Sequence, residues 1–443
     1  MSFHPVRLTA WRWATQGRTA CLALGLGLGM LVAAGAATPP EPVVINPAER
    51  GSGLAVAIGG GLKADHDAVW QALVQLSGGP GARWVVLGTA SEDPTASAAG
   101  AVKQLQRRGA VAVALPVSPE LKDPPVAQAV RDEALLAQVR AAKGVFFTGG
   151  AQDRITSSLQ PGGQATPLLQ AIWALYRSGG VVAGTSAGAA IMSTTMFRDA
   201  PSVLGVMKGQ LRTGAEVDQG LGFFGPALFV DQHFLKRGRL GRLLPLMVAK
   251  GYTLGLGVEE DSAVLMRRGP DGGDTLQLLG GKAVLIDLRD ANPRREADAF
   301  ALQGARLSLL DVGDAIDLPS RRLRPAAFKA QGQRLDPAAP GYKPYYELAP
   351  FYVDFLGDGT LATAMGQLLD AQYTELRGLA FDPRPQAGDA LAALGFEFRL
   401  YRGPGSHGWY SDAHGGEDYT VQDLRLDVRP VRMAQPMYTP WAR

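Results

Sequence analysis

The stretch GVVAGTSAGA, residues 180–189, stays apolar as far as Gly184 and then presents a single serine, Ser186, among small residues. An apolar run this short, closed by glycine, reads as a strand buried on both faces. The following AGAAIMS (187–193) can start a helix. Gly184-Thr185-Ser186-Ala187-Gly188 therefore fits the G-x-S-x-G elbow, in which a serine sits on a sharp strand-to-helix turn that only small neighbours allow. Such a turn lifts the hydroxyl clear of the sheet edge and leaves the Ala187 amide near a helix N-terminus, where it can donate to an oxyanion. The bland alternative is an incidental serine in a glycine-rich connection, and the strand in front of it weighs against that.

Working outward, LAVAI (54–58), WVVLG (84–88), VAVAL (111–115) and GVFFT (144–148) repeat the same continuous apolar pattern. Helix-like segments separate them. In one, Val69, Ala72, Leu73 and Leu76 fall at i, i+3, i+4 and i+7 before Gly78-Gly79, giving one apolar face and a glycine stop. Strands alternating with helices predict an α/β fold with a mostly parallel sheet flanked by helices. Two more strands are expected at 228–230 and 256–258, and a hairpin or meander over 263–288 with its turn at 270–273. From about residue 293 the alternation fades into a Pro-, Gly- and Tyr-rich stretch, read as an additional mixed or β-rich C-terminal region of unassigned role.

The chain has 443 residues, of which 46% are hydrophobic and 19% charged, enough for a large globular core. Its start carries Arg7, Arg12 and Arg18 and no acidic residue, then CLALGLGLGMLVAA (21–34), then AGAA before Thr38-Pro39-Pro40. That is the three-part layout of a secretory signal peptide, and its apolar run is short of the roughly 20 residues that span a bilayer. The expected organisation is a signal peptide at 1–37, a Pro-rich spacer at 38–50, a catalytic α/β domain at 51–292 and the C-terminal region at 293–443. Export to the periplasm or the medium follows as an expectation, with no membrane association after leader removal. Cys21 is the only cysteine, so the mature chain would hold no disulfide. Loss of the three leader arginines takes the formal charge from +3 to 0, which removes any case for nucleic-acid binding.

A serine hydroxyl needs a base, and the chain has five histidines: His4, His66, His233, His407 and His414. His4 leaves with the leader. His66, beside two aspartates at a helix start, reads as solvated or capping. His233 follows a candidate strand, at the carboxyl edge where open α/β folds gather their sites. The next strand ends in Glu259-Glu260-Asp261, which offers a carboxylate to orient an imidazole or, alternatively, is a surface acidic run. Two chain orders are open. Ser186, His233, Glu260 uses successive strand ends and is preferred; serine, acid, late histidine, as in an α/β-hydrolase esterase, would call on His407 or His414 in a glycine-rich loop region.

Four segments, FFTGGAQDRI (146–155), AGTSAGAAIMS (183–193), VDQHFLKRGRLGRL (230–243) and LGLGVEEDSA (254–263), resemble the signature segments of the cyanophycinases, serine exopeptidases of peptidase family S51. The resemblance covers about residues 50–290. It implies a class I glutamine amidotransferase-like, flavodoxin-like fold, with Ser186 as nucleophile, His233 as general base, Glu260 as its orienting acid, and the amides of Gly150 and Ala187 as oxyanion hole. It also implies a substrate pocket of Gln152, Asp231, Gln232, Arg237, Arg239 and Arg242, and neither a metal nor an organic cofactor. The implied substrate is cyanophycin, a polyaspartate with arginine on each side-chain carboxylate, cut to β-aspartyl-arginine dipeptides. Arginines suit that task, because a guanidinium grips a carboxylate with two parallel hydrogen bonds. Relatives of this fold commonly pair, so a homodimer is compatible with the resemblance. Ala151, Glu259 and the stretch 197–222 depart from the family pattern. An isoaspartyl or aspartyl dipeptidase on the same fold and a non-catalytic secreted binding protein are the other readings.

Overall fold

The computed structural model describes residues 53–199, 202–269, 273–386, 388–413, 418–434 and 436–440. The expected signal peptide and spacer, and His414, lie outside the described residues. The five apolar runs form β1 (Leu54–Ile58), β2 (Arg83–Leu87), β3 (Val111–Leu115), β4 (Gly144–Phe147) and β5 (Val181–Thr185). They lie in the order β1-β5-β4-β2-β3, all parallel. A short hairpin of β6 (Thr195–Phe197) and β7 (Val217–Gln219) follows.

Strands β8 (Leu228–Asp231) and β9 (Leu254–Val258) pair in parallel, but in a second sheet. The chain then returns to the first sheet with β10 (Ala263–Arg267), antiparallel to the outer edge of β1, and β11 (Thr275–Gly280). It crosses again with β12 (Lys282–Asp287), antiparallel to β9. Next come β13 (Asn292–Glu296), which folds on β14 (Ala299–Asp311), and then β15 (Ala315–Asp317) and β16 (Leu323–Arg324), which extend the first sheet beyond β11. The remaining strands, β17 (Gln333–Leu335), β18 (Phe351–Tyr352), β19 (Glu375–Ala380), β20 (Leu394–Ser411) and β21 (Asp418–Arg432), join the second sheet, whose order is β18-β19-β20-β21-β14-β12-β9-β8.

The α/β expectation therefore holds for the first half, with a correction in each direction. The first sheet is parallel on one side of β1 and antiparallel on the other, because β10, β11, β15 and β16 cover an edge that would otherwise present unpaired backbone groups. The residues after 293 are β-rich as expected, yet they do not form a sheet of their own: β14, β20 and β21 continue the sheet that β8 and β9 begin. Continuous apolar patterning also overstated β3, an edge strand whose Val111 and Val113 are 53% and 43% exposed.

Three clusters fill the layers. Leu54, Val56 and Ile58 face the helices Asp67–Leu76 and Pro94–Arg107, while Ala55 and Ala57 turn the other way. That second face shares one cluster with Val230, Leu256, Val258 and Leu285, so the two sheets pack on a common core. The far face of the second sheet, with Phe229, Val284 and Ile286, is covered by Leu243, Met247, Leu361 and Met365 from the helices Leu240–Lys250 and Thr360–Leu369. Because the sheets are stacked, the ends of β5, β8 and β9 converge although they belong to different sheets.

Candidate active site

Ser186 follows β5 at φ 53 and ψ −108, a backbone conformation that costs a non-glycine residue about 1–3 kcal/mol. Its amide donates to the Ile58 carbonyl at 2.9 Å, and the short helix Ala187–Ala190 starts at once. The two glycines of the pentapeptide are there for space. A Cβ on Gly184 would overlap the Gly188 backbone, and one on Gly188 would press on the Phe147 carbonyl.

His233 follows β8, also at positive φ, with its amide donating to the Gly59 carbonyl at 2.7 Å. Its Nε2 lies 2.8 Å from Ser186 Oγ, and its Nδ1 lies 2.6 Å from Glu260 Oε1. The ring rests so close to Gly60 that a Cβ there would overlap it. Gly59 and Gly60 were not singled out in the sequence; the glycine run directly after β1 is the signal that could have found them.

The acidic triplet after β9 is not a solvated run. Glu259 accepts the backbone N–H groups of Leu235 and Lys236 and so holds the loop after His233, Glu260 orients the imidazole, and Asp261 accepts from His66 Nδ1 at 2.9 Å and from the Lys63 amide at 3.0 Å. His66 is thus an anchor for the triplet, and its side chain caps no helix. Burial raises the Glu259 pKa against the pull of its amide donors. Burial would also raise Asp261, but the Lys63 amide and His66 outweigh it and the carboxyl titrates below its ordinary value.

Burial is the largest influence on His233 and pushes its pKa below the ordinary imidazole value of 6.5; the Glu260 hydrogen bond opposes this, and the charges of Arg237 and Arg239 add to it. A neutral imidazole can accept a proton from Ser186, so serine reactivity should persist below pH 6.5 and fall only as the pH drops through the lowered pKa. Arg237→Ala removes one of the cations that disfavour the imidazolium. The acid limb of Ser186 labelling by an organophosphonate should then move to higher pH; an unchanged limb would mean that Arg237 exerts no field at the ring.

A cleft of about 460 Å³ opens at the serine, lined by Gly150, Ala151, Gln152, Asp153, Ser186, Arg198, Asp199, Gln232, Arg237, Arg239 and Arg242. Five of the six expected pocket residues line it. Asp231 does not: it is 2% exposed, and both of its carboxylate oxygens are occupied. Arg242 grips it with Nε at 2.7 Å and Nη2 at 2.6 Å, and Arg239 lies 3.5 Å away. Arg239 and Arg242 are themselves 8% and 4% exposed, which excludes solvated charges on an amphipathic helix. Arg242 also lies 4.3 Å over the Phe197 ring, and burial pushes Arg239 down to about 10. Arg237, by contrast, is exposed. The Gln232 side-chain oxygen is buried without a hydrogen-bond partner among the described residues.

Gln152 plays a tethering part, donating to the carbonyls of Phe197 at 2.7 Å and Arg198 at 3.2 Å. The sequence reading missed Asp153, in the first turn of the helix Gln152–Leu159, and Arg198 and Asp199, which follow β6 where Gln152 tethers its end. The Gly150 and Ala187 amides make no backbone hydrogen bond among the described residues. Gly150 has φ 138, and a Cβ there would overlap the Ala90 carbonyl. The late-histidine order finds no support from His407, which sits in β20 with Nδ1 2.7 Å from the Gly405 carbonyl.

Residues 55–270 match the model of peptidase family S51. A cyanophycinase from Trichormus variabilis is 34% identical over 202 residues, 44% of this chain and 63% of that protein. One from Synechococcus elongatus is 31% identical over 199 residues, 43% of this chain and 58% of that protein. The chain thus spans less than two thirds of these relatives' length. A crystal structure of a peptidase from an acI-B1 Actinobacterium aligns with a TM-score of 0.44 at 21% identity, over 61% of this chain and 98% of its own. No helix among the described residues is long and apolar enough to cross a membrane.

Proposed function

Since residues 55–270 match the model of peptidase family S51, we propose that the chain is an exported serine-type exopeptidase that cleaves the polyaspartate backbone of cyanophycin through an acyl-enzyme and leaves each β-linked arginine in place. The observation that carries this reading is the hydrogen-bonded chain Ser186–His233–Glu260 at the floor of an arginine-lined cleft. Ser186 Oγ attacks the carbonyl carbon while His233 Nε2 takes its proton. Glu260 holds the ring by Nδ1 and stabilises the imidazolium. The Gly150 and Ala187 amides receive the oxyanion. The leaving amine departs with the proton from His233, and a water, deprotonated by the same nitrogen, then releases the acid product and frees the serine.

The arginines account for the choice of substrate class. Every unit of the polymer carries the free carboxylate of its arginine, and the chain end adds another, so carboxylates accompany the scissile backbone carbonyl into the cleft, where Arg237 and Arg239 offer guanidinium groups. Arg242 contributes through Asp231 and the shape of the cleft wall. Arg239→Ala is expected to lower kcat/KM by tenfold or more, the size of a lost charge-assisted contact of about 1.5–3 kcal/mol. Unchanged kinetics would assign this arginine to the scaffold alone.

Incubation of the protein with cyanophycin and with simple β-aspartyl dipeptides, with products identified by mass spectrometry, tests the substrate. Release of β-aspartyl-arginine from the polymer is the expected result. Brisk cleavage of dipeptides with none from cyanophycin would replace this reading by an isoaspartyl dipeptidase. Export rests on the leader pattern of residues 1–37. N-terminal sequencing of the protein recovered from the producing cell should begin after about residue 37, and an intact start in the cytosol would overturn it.

A further inference from the structure

Part of the chain beyond the matched family segment lies against the loop that carries the catalytic histidine. Residues 353–359 connect β18 to the helix Thr360–Leu369. The link is anchored in the second sheet by Phe355, which is fully buried, donates its amide to the Leu379 carbonyl at 2.8 Å and stacks on Phe398 at 4.9 Å between ring centroids. Its next residue touches the histidine loop. A Cβ at Gly238 would overlap the Leu356 carbonyl, and one at Gly241 would fall 2.7 Å from Leu356 Cδ1. The Gly359 amide donates to the Leu235 carbonyl at 3.3 Å, and Asp358 pairs with Lys236.

The loop from Gln232 to Arg239 needs support from both sides. It holds His233 at φ 46, a conformation that persists only where the surroundings over-determine it. On one side Gly59 receives the His233 amide and Glu259 receives those of Leu235 and Lys236. On the other side stands the 354–359 link. The two glycines in Arg237-Gly238-Arg239-Leu240-Gly241 are the notch into which Leu356 fits, which is a reason for small residues among so many large ones. The Lys236–Asp358 pair is half exposed, so the packing of Leu356 is the main element.

We infer that residues 354–359 are a positioning brace: the C-terminal region, through Leu356 in the Gly238–Gly241 notch, fixes the loop that aims His233 at Ser186 and sets Arg237 and Arg239 in the cleft. The inference rests on the reading of Ser186 and His233 as a nucleophile–base pair. It gives the residues after 293 a share in catalysis without contact with substrate.

The test is the rate of Ser186 modification by a fluorophosphonate as a function of pH, on the full chain, which needs no knowledge of the natural substrate. Leu356→Ala should lower the labelling rate at pH 7 by about tenfold and move the acid limb to higher pH, because a loosened loop admits water to an imidazole whose pKa burial depresses. Leu356→Met, which refills the notch with a similar volume, should restore both. Gly238→Ala, strained at φ 57 and overlapping the Leu356 carbonyl, should act in the same direction as Leu356→Ala. Wild-type labelling rate and pH profile in Leu356→Ala, even with a lowered melting temperature, would overturn the brace and leave an ordinary packing contact. Absence of labelling in the wild-type protein would overturn the serine reading itself, and the brace with it.

Discussion

His233→Ala will reduce turnover, and the rate of Ser186 acylation, by about 10⁴-fold or more, while His407→Ala will leave both near the wild-type value. The magnitude follows from how such a unit works: without the imidazole the hydroxyl must lose its proton unaided, and removal of the base alone costs nearly as much as removal of the whole set. The contrast follows from geometry. His233 Nε2 is 2.8 Å from Ser186 Oγ, whereas the His407 ring is bonded to the Gly405 carbonyl. Residual activity after loss of Ser186 or His233 should reflect only what the cleft and the oxyanion amides provide. Steady-state kinetics on the substrate found by mass spectrometry, together with the labelling rate, checks this. Full activity in His233→Ala, or its loss in His407→Ala, would shift the case to a late histidine.

Asp231→Ala is expected to destabilise the protein by about 3–5 kcal/mol and to abolish activity, although Asp231 does not line the cleft. The carboxylate is 2% exposed and takes two hydrogen bonds from Arg242, with Arg239 close by. Its removal leaves a buried guanidinium without its carboxylate, and breaking a buried pair from one side costs far more than the pair contributes. Denaturant unfolding of the variant measures the loss. The double variant Asp231→Leu with Arg242→Met exchanges the pair for apolar volume and should recover much of the stability but not the activity. A stable, active Asp231→Ala protein would show that the arginines find other partners.

Much of the site was legible because its signals are local. The elbow announces itself through Gly184 and Gly188, whose missing Cβ atoms allow the helix to cross the strand ends, and those demands are met within a few residues of Ser186. His233 and Glu260 could be placed because each follows a short apolar strand, and strand ends gather at one edge of an α/β sheet. Asp231 was misplaced for the opposite reason: its partners are 8 and 11 residues away, on the next loop and helix, and only packing shows that they consume its charge. Arg198 and Asp199 were missed because they reach the cleft through a hairpin held by Gln152.

By itself, the sequence determined the strand–elbow–helix at Ser186 and the five parallel strands that begin the fold, and it ranked the order Ser186, His233, Glu260 above a late histidine without closing the choice. The elbow and the strands depend on sterics and apolar runs of four or five residues, which hardly vary with context. Only the tertiary structure decided that β8 and β9 leave the first sheet, that Glu259, Glu260 and Asp261 serve three different partners, and that Leu356 comes to rest in a notch more than a hundred residues earlier in the chain. The physical reason is that which apolar face covers which, and which carboxylate meets which cation, is settled by packing between segments far apart in sequence, where no local pattern records the partner.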